Sequence, residues 1–546
     1  MIRLTNARVI DPANGEDGVV RDLYLHDGRI VAAPEPGSAI DTIDATGLIA
    51  MAGAIDLHTH LAGGKMNIAR GMLPELDATD AIPASDITAA CLGGAAPSTL
   101  AAGYRYAALG YSTCFEPAML PTNARQAHLE MGDTPLIDRG AYALLGNDDF
   151  LLRLLAGDAP QARINDYVAW TLHATQALGI KVVNAGGINA FKFNQRTLDV
   201  DQPNARYGVS PRQIIGALTR AVHELGVPHP LHVHCSNLGV PGNIDSTLAT
   251  IAAAEDRPIH LTHVQFHSYA KEGDRKFSSA AQRLTEALKQ SPNVTIDVGQ
   301  VIFGQTVTGS ADTMAQYGTS AYAHPRKWTL MDIECDAGCG VVPFRYRDQD
   351  FVNALQWTIG LELFLMVDDP WRIFLTTDHP NGGSFTSYPH LIRLLTDRSY
   401  RNDALGAIHP EAAKQSALQD LRREYSLYEI AIMTRAGPAR ILGLEDRGHL
   451  GVGAAGDVVL YEPQADVEAM FRAPRYVFRN GQLVAERGVL NTVTFGAVHT
   501  VKPAYDRTIE REIADYFATY QTLSADSLRI GDDELLSVGH ASALHV

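Results

Sequence analysis

Cysteine is scarce: the 546 residues hold five, Cys91, Cys114, Cys235, Cys335 and Cys339, scattered and without a CxxC pair. That excludes a disulfide framework, argues against a zinc ribbon or an iron-sulfur cluster, and fits a reducing, cytoplasmic home. Long apolar runs are missing too. No stretch reaches the roughly 18 uncharged apolar residues of a membrane span, and the most apolar run, IGLELFLMV, carries Glu362. The opening MIRLTNARVIDPANG lacks the apolar segment of a secretory signal. Positive charge is in deficit, with 45 basic residues against 62 acidic ones and a net charge of −17, a balance that repels nucleic acid and anionic membranes. Only nine of the basic residues are lysines, so a lysine inside an apolar run requires a reason.

What is present is ample core material. Hydrophobic residues make up 46% of the chain and charged ones 20%, which excludes wholesale disorder. The length allows two to four domains or one large barrel with appendages. Residues 1–52 alternate apolar and polar positions in short runs, with HDGR as a hairpin turn, and a similar set recurs at 436–499 with RNGQ as a second turn. The two sets read as one composite β-sandwich. Between them, 53–435 alternates strand-like and helical patterns, as a (β/α)8 TIM-type barrel requires. Its clearest helix follows Val209: Ser210, Pro211 and Gln213 supply a cap, a first-turn proline and a capping-box partner. Ile214, Leu218, Val222 and Leu225 share a face, and Gly226 ends it. Residues 500–546 read as a helical tail, with Ile509, Ile513, Tyr516 and Phe517 on one face that packs on the barrel or on a partner subunit.

Eight strands are predicted: AIDLHTH, STCFEPAM, YALLGN, IKVVNAGG, LHVHCSN, HLTHVQF, VTIDVGQ and IFLTTDHP. In a βα barrel their C-terminal ends converge on one mouth. His58 and His60 flank Thr59, and alternate strand residues point to one side, so both imidazoles can meet one metal. His234, His263 and Asp378 close three further strands. Nitrogen and oxygen donors in that mixture suit zinc, or less readily iron or manganese. Lys181 lies within GIKVV, where a charged amine is costly to bury. Either a buried carboxylate pairs with it, or its neutral amine has taken up CO2 to form a carbamate whose two oxygens each hold a metal. Two ions sharing a water acidify it, and Asp378 is placed to take its proton and pass it to a leaving nitrogen, which is hydrolysis of a carbon–nitrogen bond. The glycines of LGGAAP and AGG lack the strand, loop, lysine and helix order of a P-loop.

The order of HxH on the first strand, Lys on the fourth, His on the fifth and sixth and Asp on the eighth, between two halves of a small sheet domain, resembles the amidohydrolase superfamily. Longer stretches are similar to the A-subunit family shared by formyltransferase/hydrolase complexes and formylmethanofuran dehydrogenases: IDLHTHLAGGKMNIAR, PSTLAAGYRYAALGYST, HVHCSNLGVPGN, LTHVQFHSY, KWTLMDIECDAGCGVVPF and ALQWTIGLELFLMVDDPWRIFLTTDHPNGGSFTSYP. The resemblance covers about residues 1–495. It implies two Zn2+ bridged by carboxylated Lys181, with His58, His60, His234, His263 and Asp378 as the other ligands and Asp378 as the catalytic proton carrier. The implied reaction interconverts formylmethanofuran and water with methanofuran and formate, beside a formyltransferase and other subunits. No redox cofactor is expected in this chain. His232 competes with His234 for the fifth-strand position, and Lys192 with Lys181. Lys65 and Arg70 are candidates for holding an acidic carrier tail; Asn237, Asn243 and His267 are candidates for polarising the formyl oxygen. The rival readings are the dehydrogenase subunit, a cyclic amidohydrolase of the hydantoinase or dihydroorotase kind, and a scaffold subunit without activity.

Overall fold

The structure is a computed structural model that describes residues 1–309, 333–334, 340–536 and 543–545. Cys335, Cys339 and most of the KWTLMDIECDAGCG stretch lie outside the described residues.

Each of the eight predicted strands is present, in chain order: Ala54–Asp56, Tyr111–Met119, Asp138–Leu144, Gly179–Val183, Leu231–His234, Ile259–Leu261, Val294–Asp297 and Ile373–Phe374. Each pairs in parallel with the next. Ring closure runs beyond the last strand, through a parallel bridge between Thr59 and His379 in which the His60 N–H donates to the His379 carbonyl at 2.9 Å. A closed parallel barrel buries its strands on both faces, so they read as apolar runs. In Gly179–Val183 every residue but the last is buried. The helices around it carry the signals expected of them. Ser210 caps Pro211–Glu224 in a complete capping box, Ile214, Leu218 and Val222 are buried, and Gly226 follows at φ +66°. Glu362 sits in Phe351–Met366, of which 15 of 16 residues are buried, and its carboxylate accepts from Ser279, Ser416 and the Ala417 N–H. Among the described residues no helix is long and apolar enough to cross a membrane.

The two chain ends build one nine-stranded sheet, joined where Ile49–Ala52 runs antiparallel to Val458–Tyr461. Its hairpins turn where expected. Asp27 and Gly28 have φ of 46° and 79°, and Asn480 and Gly481 have 45° and 73°; two left-handed residues in succession match the twist of the flanking strands. Leu4, Val9, Leu23, Leu25, Val458, Leu460 and Phe478 form a core of its own beside the barrel's. Beyond this sheet, Val498–Thr500 pairs in parallel with the start of the third barrel strand, at Arg139 and Gly140. The tail helix Ile509–Tyr520 lies on Gln161–Thr175 and buries Ile509, Ile513, Tyr516 and Phe517. Of the two placements open to that apolar face, the chain's own barrel takes it.

Candidate metal centre

The first strand delivers His58 and His60 to the mouth of the barrel, and the end of the eighth delivers Asp378 between them. Asp378 Oδ1 lies 2.9 Å from His58 Nε2 and 3.3 Å from His60 Nε2. Its Oδ2 accepts from Asn381 Nδ2 at 2.9 Å. Burial alone would push this carboxyl up; His263 and His58 outweigh it and hold the group well below the usual carboxylate range. His58 is pushed down to about 4 by burial and by Lys181, so its ring is neutral at physiological pH and has a lone pair to offer.

A second group forms beside the first. His234, His263 and His267 bring three ring nitrogens within 4.8 Å of one another, as do the donor atoms of His58, His60 and Asp378. The His58 and His263 rings are 5.4 Å apart, so the two groups adjoin. His263 adopts a left-handed φ of 36°, in a place that exists because Gly299 has no side chain; a Cβ there would lie 2.3 Å from the His263 Cβ. The His263 Nδ1 and the ring nitrogens of His267 are buried without a hydrogen-bond partner of good geometry. Buried imidazoles left in that condition, beside a buried carboxylate, fit a divalent cation. His267, expected near the formyl oxygen, thus falls among the donors.

Lys181 is 2% exposed between fully buried Ile180 and Val182. Among the described residues its amine makes no hydrogen bond or ion pair, while the carboxylates of Asp378, Asp297 and Glu116 act on it from farther off. Burial lowers its pKa to about 8 against the opposing pull of Asp378. Lys192 ends the helix Gly187–Lys192, beyond the fourth strand.

Other side chains hold these groups. Glu116, on the second strand, accepts from His60 Nδ1 at 3.0 Å and from the Leu61 and Ala62 N–H groups. Its place among the last residues of STCFEPAM was the available signal for it. Beneath, Asp56 accepts from Tyr388 at 2.5 Å, Tyr106 at 2.8 Å and the His58 N–H at 3.1 Å. Lys65 reaches the mouth, donating to Asn381 Oδ1 at 3.1 Å. Three further candidates for substrate contact are engaged in hydrogen bonds within the protein. Arg70 donates to the carbonyls of Pro97 and Leu61 and to Asn67, and so ties its own loop. Asn243 donates to the carbonyls of Asn237 and Phe266 and accepts from the Tyr269 N–H, which leaves no donor for a formyl oxygen. Asn237 turns the chain at φ 63° and donates to Ser246.

A family model for amidohydrolases matches residues 41–485. The chain belongs to the amidohydrolase family. Within it, the chain is 43% identical over 537 residues to the A-subunit of the formyltransferase/hydrolase complex Fhc of Methylorubrum extorquens, covering 97% of each protein. It is 37% identical over 554 residues to protein FwdA of Methanocaldococcus jannaschii, covering 97% of this chain and 96% of that one. A chain in the crystal structure of the Methylorubrum extorquens formyltransferase/hydrolase complex with methylofuran superposes with a TM-score of 0.92 at 42% identity, over 100% of this chain and 99% of that one. This amidohydrolase therefore shares nearly its whole length with both relatives.

Proposed function

We propose that this amidohydrolase hydrolyses the formamide C–N bond of an N-formylated furan-amine carrier of the methanofuran class, releasing formate and the free amine, as one subunit of a formyltransferase/hydrolase complex. The observation that carries the reading is the adjacency of two donor groups, His58, His60 and Asp378 beside His234, His263 and His267, at one barrel mouth, with Lys181 buried close enough to feel the charge of Asp378, in a chain whose 43% identical relative is named for that complex. Two zinc ions would be held by His58, His60, His234, His263 and Asp378, bridged by a carboxylated Lys181, and would supply an acidified water and a polarised formyl oxygen. The protein's own part is proton movement and orientation. Asp378 takes the water's proton and returns it to the departing nitrogen, while Asn381 orients the carboxylate through Oδ2. Lys65 stands at the mouth as the cation for an acidic carrier tail. His234 is the fifth-strand ligand in this reading, because both nitrogens of His232 are engaged by other histidines.

The 37% identity to FwdA favours one alternative, a dehydrogenase subunit performing the same half-reaction toward formylation. The natively purified complex separates the two. We expect two zinc ions per chain, formate release from the formylated carrier without an electron acceptor, and loss of zinc and turnover in Lys181→Ala. Reduction of an artificial dye by the same substrate, with molybdenum or tungsten present, would assign the dehydrogenase. A Lys181→Ala variant with full zinc and activity would remove the bridge.

A further inference from the structure

His60 and His58 have different supports. The Nδ1 of His60 faces the carboxylate of Glu116, an acceptor that needs nothing further. The Nδ1 of His58 faces another imidazole: His232 Nε2 is 2.8 Å away. His232 Nδ1 then lies 3.0 Å from His229 Nε2, and His229 Nδ1 lies 3.4 Å from the carbonyl oxygen of Ile441. All three rings are 0% exposed, so bulk water cannot exchange their protons freely. Ile441 belongs to the last turn of Gly437–Leu442, where a helix leaves carbonyls without an intrahelical partner.

A carbonyl oxygen only accepts, and this sets the direction of the chain. His229 donates Nδ1–H to Ile441, which leaves its Nε2 a lone pair. His232 fills that lone pair with Nδ1–H and keeps a lone pair on its own Nε2. His58 donates Nδ1–H to that nitrogen, and its Nε2 is left unprotonated opposite Asp378 Oδ1, 2.9 Å away, two lone pairs that a cation held between them reconciles, so this polarity is that of the metal-loaded site. Thr262 Oγ1, 2.5 Å from His58 Nδ1, can accept from the same N–H, and the Asp297 carboxylate, 3.6 Å away and beyond hydrogen-bond reach, favours a proton there by its charge. The reverse polarity would protonate His58 Nε2 and press the lone pair of His229 against those of the Ile441 carbonyl in a dry interior, an unsatisfied pairing that typically costs about 1–3 kcal/mol.

We propose that the Ile441 carbonyl, acting through His229 and His232, fixes the tautomer of His58 and so presents its Nε2 lone pair to the metal; His229 and His232 are positioning residues. The inference rests on the reading of His58 as a ligand and gives that ligand a three-member support spanning the barrel core. Outer partners of metal-bound histidines commonly affect metal affinity by about 10- to 100-fold.

The test is zinc affinity, read by chelator competition on full-length protein in three forms: wild type, His232→Leu and His232→Gln. Gln keeps an acceptor oxygen for His58, whereas Leu does not. We expect His232→Leu to bind zinc about 10- to 100-fold more weakly and His232→Gln to stay within a few-fold of wild type, both with melting temperatures monitored as a folding control. If the Leu variant fails to fold, His229→Gln against His229→Leu asks the same question one step further away. In zinc-loaded protein labelled with 15N at histidine, nitrogen shifts should place His58, His232 and His229 all in the Nδ1–H form. Wild-type zinc affinity in a folded His232→Leu, or His232 or His229 protonated at Nε2 in the zinc-loaded protein, would overturn the proposal. So would a third ion held between His58, His232 and Asp297. A wild type that binds no metal at all would instead defeat the reading on which the proposal stands.

Discussion

At the scale of single residues, the proposed site depends on keeping nitrogen donors uncharged inside a protein that has few lysines. Lys181 shows how burial does this. A carbamate forms only from the neutral amine, and lowering its pKa to about 8 enlarges the neutral fraction at pH 7 several-hundredfold over an ordinary lysine. The sign follows directly: as pH falls below about 8 the amine is protonated and CO2 uptake slows. Zinc-stripped protein given zinc and bicarbonate should regain activity faster as pH rises from about 6.5 to about 8.5, levelling off above the amine's pKa. The gain should depend on bicarbonate. Reconstitution that is independent of pH and bicarbonate would mean that the lysine is not carboxylated.

At the scale of elements, the connection after a strand decides whether its donor reaches the mouth. The Val298–Gly299–Gln300 segment after the seventh strand passes against the left-handed turn at His263. Gly299 is held at φ +65°, with its missing side chain facing the His263 Cβ at 2.3 Å. Gly299→Ala would have to push the sixth-strand histidine aside as well as adopt an unfavourable φ, and the backbone term alone is about 1 kcal/mol or more. The expected outcome is a folded protein with reduced zinc content and turnover lowered by at least about tenfold, although no donor has been altered. Metal analysis beside a melting curve checks it; unchanged zinc and activity would show that the loop yields without disturbing His263.

At the scale of the whole molecule, the barrel and the terminal sheet are bolted together by a buried charge network. Asp138, on the third barrel strand, accepts from Arg447 Nη2 at 2.8 Å and Arg479 Nη2 at 2.9 Å, and Arg479 also pairs with Asp457. Burial works to raise the Asp138 carboxyl, but Arg479 and Arg447 prevail and hold it well below its ordinary value of 3.8. A depressed folded-state pKa gives stability that is fully present above the unfolded value. That stability is lost as pH falls below about 3.8 toward the folded value. Asp138→Asn leaves two buried guanidinium groups short of a counter-charge, and breaking such a pair typically costs about 3–5 kcal/mol. Chemical denaturation at pH 7 should show that loss, and acid titration should show a weaker dependence of stability on pH below about 4 than in wild type. Equal stability at pH 7 would mean that the network is not a structural bond between the two units.

The barrel was legible because its signals are local. Alternation, caps at Ser210, turns at Asp27–Gly28 and Asn480–Gly481, and polar residues closing eight apolar runs are all read within a few positions of one another. The donors at strand ends were legible for the same reason, since a barrel sends every such end to one mouth. What tertiary structure alone decided are the pairings across the ring. His58 and Asp378 meet over 320 residues of chain, and no local pattern states that Glu116 supports His60 or that Asn381 holds Asp378. Nor could spacing separate His232 from His234, since residues two apart in a strand face the same way. Their depth in the barrel differs: one lies against His58 and His229 in the core and the other against His263 at the mouth. Arg70 and Asn243 show the same limit: a sequence shows which donors exist and not which carbonyls the fold has placed beside them.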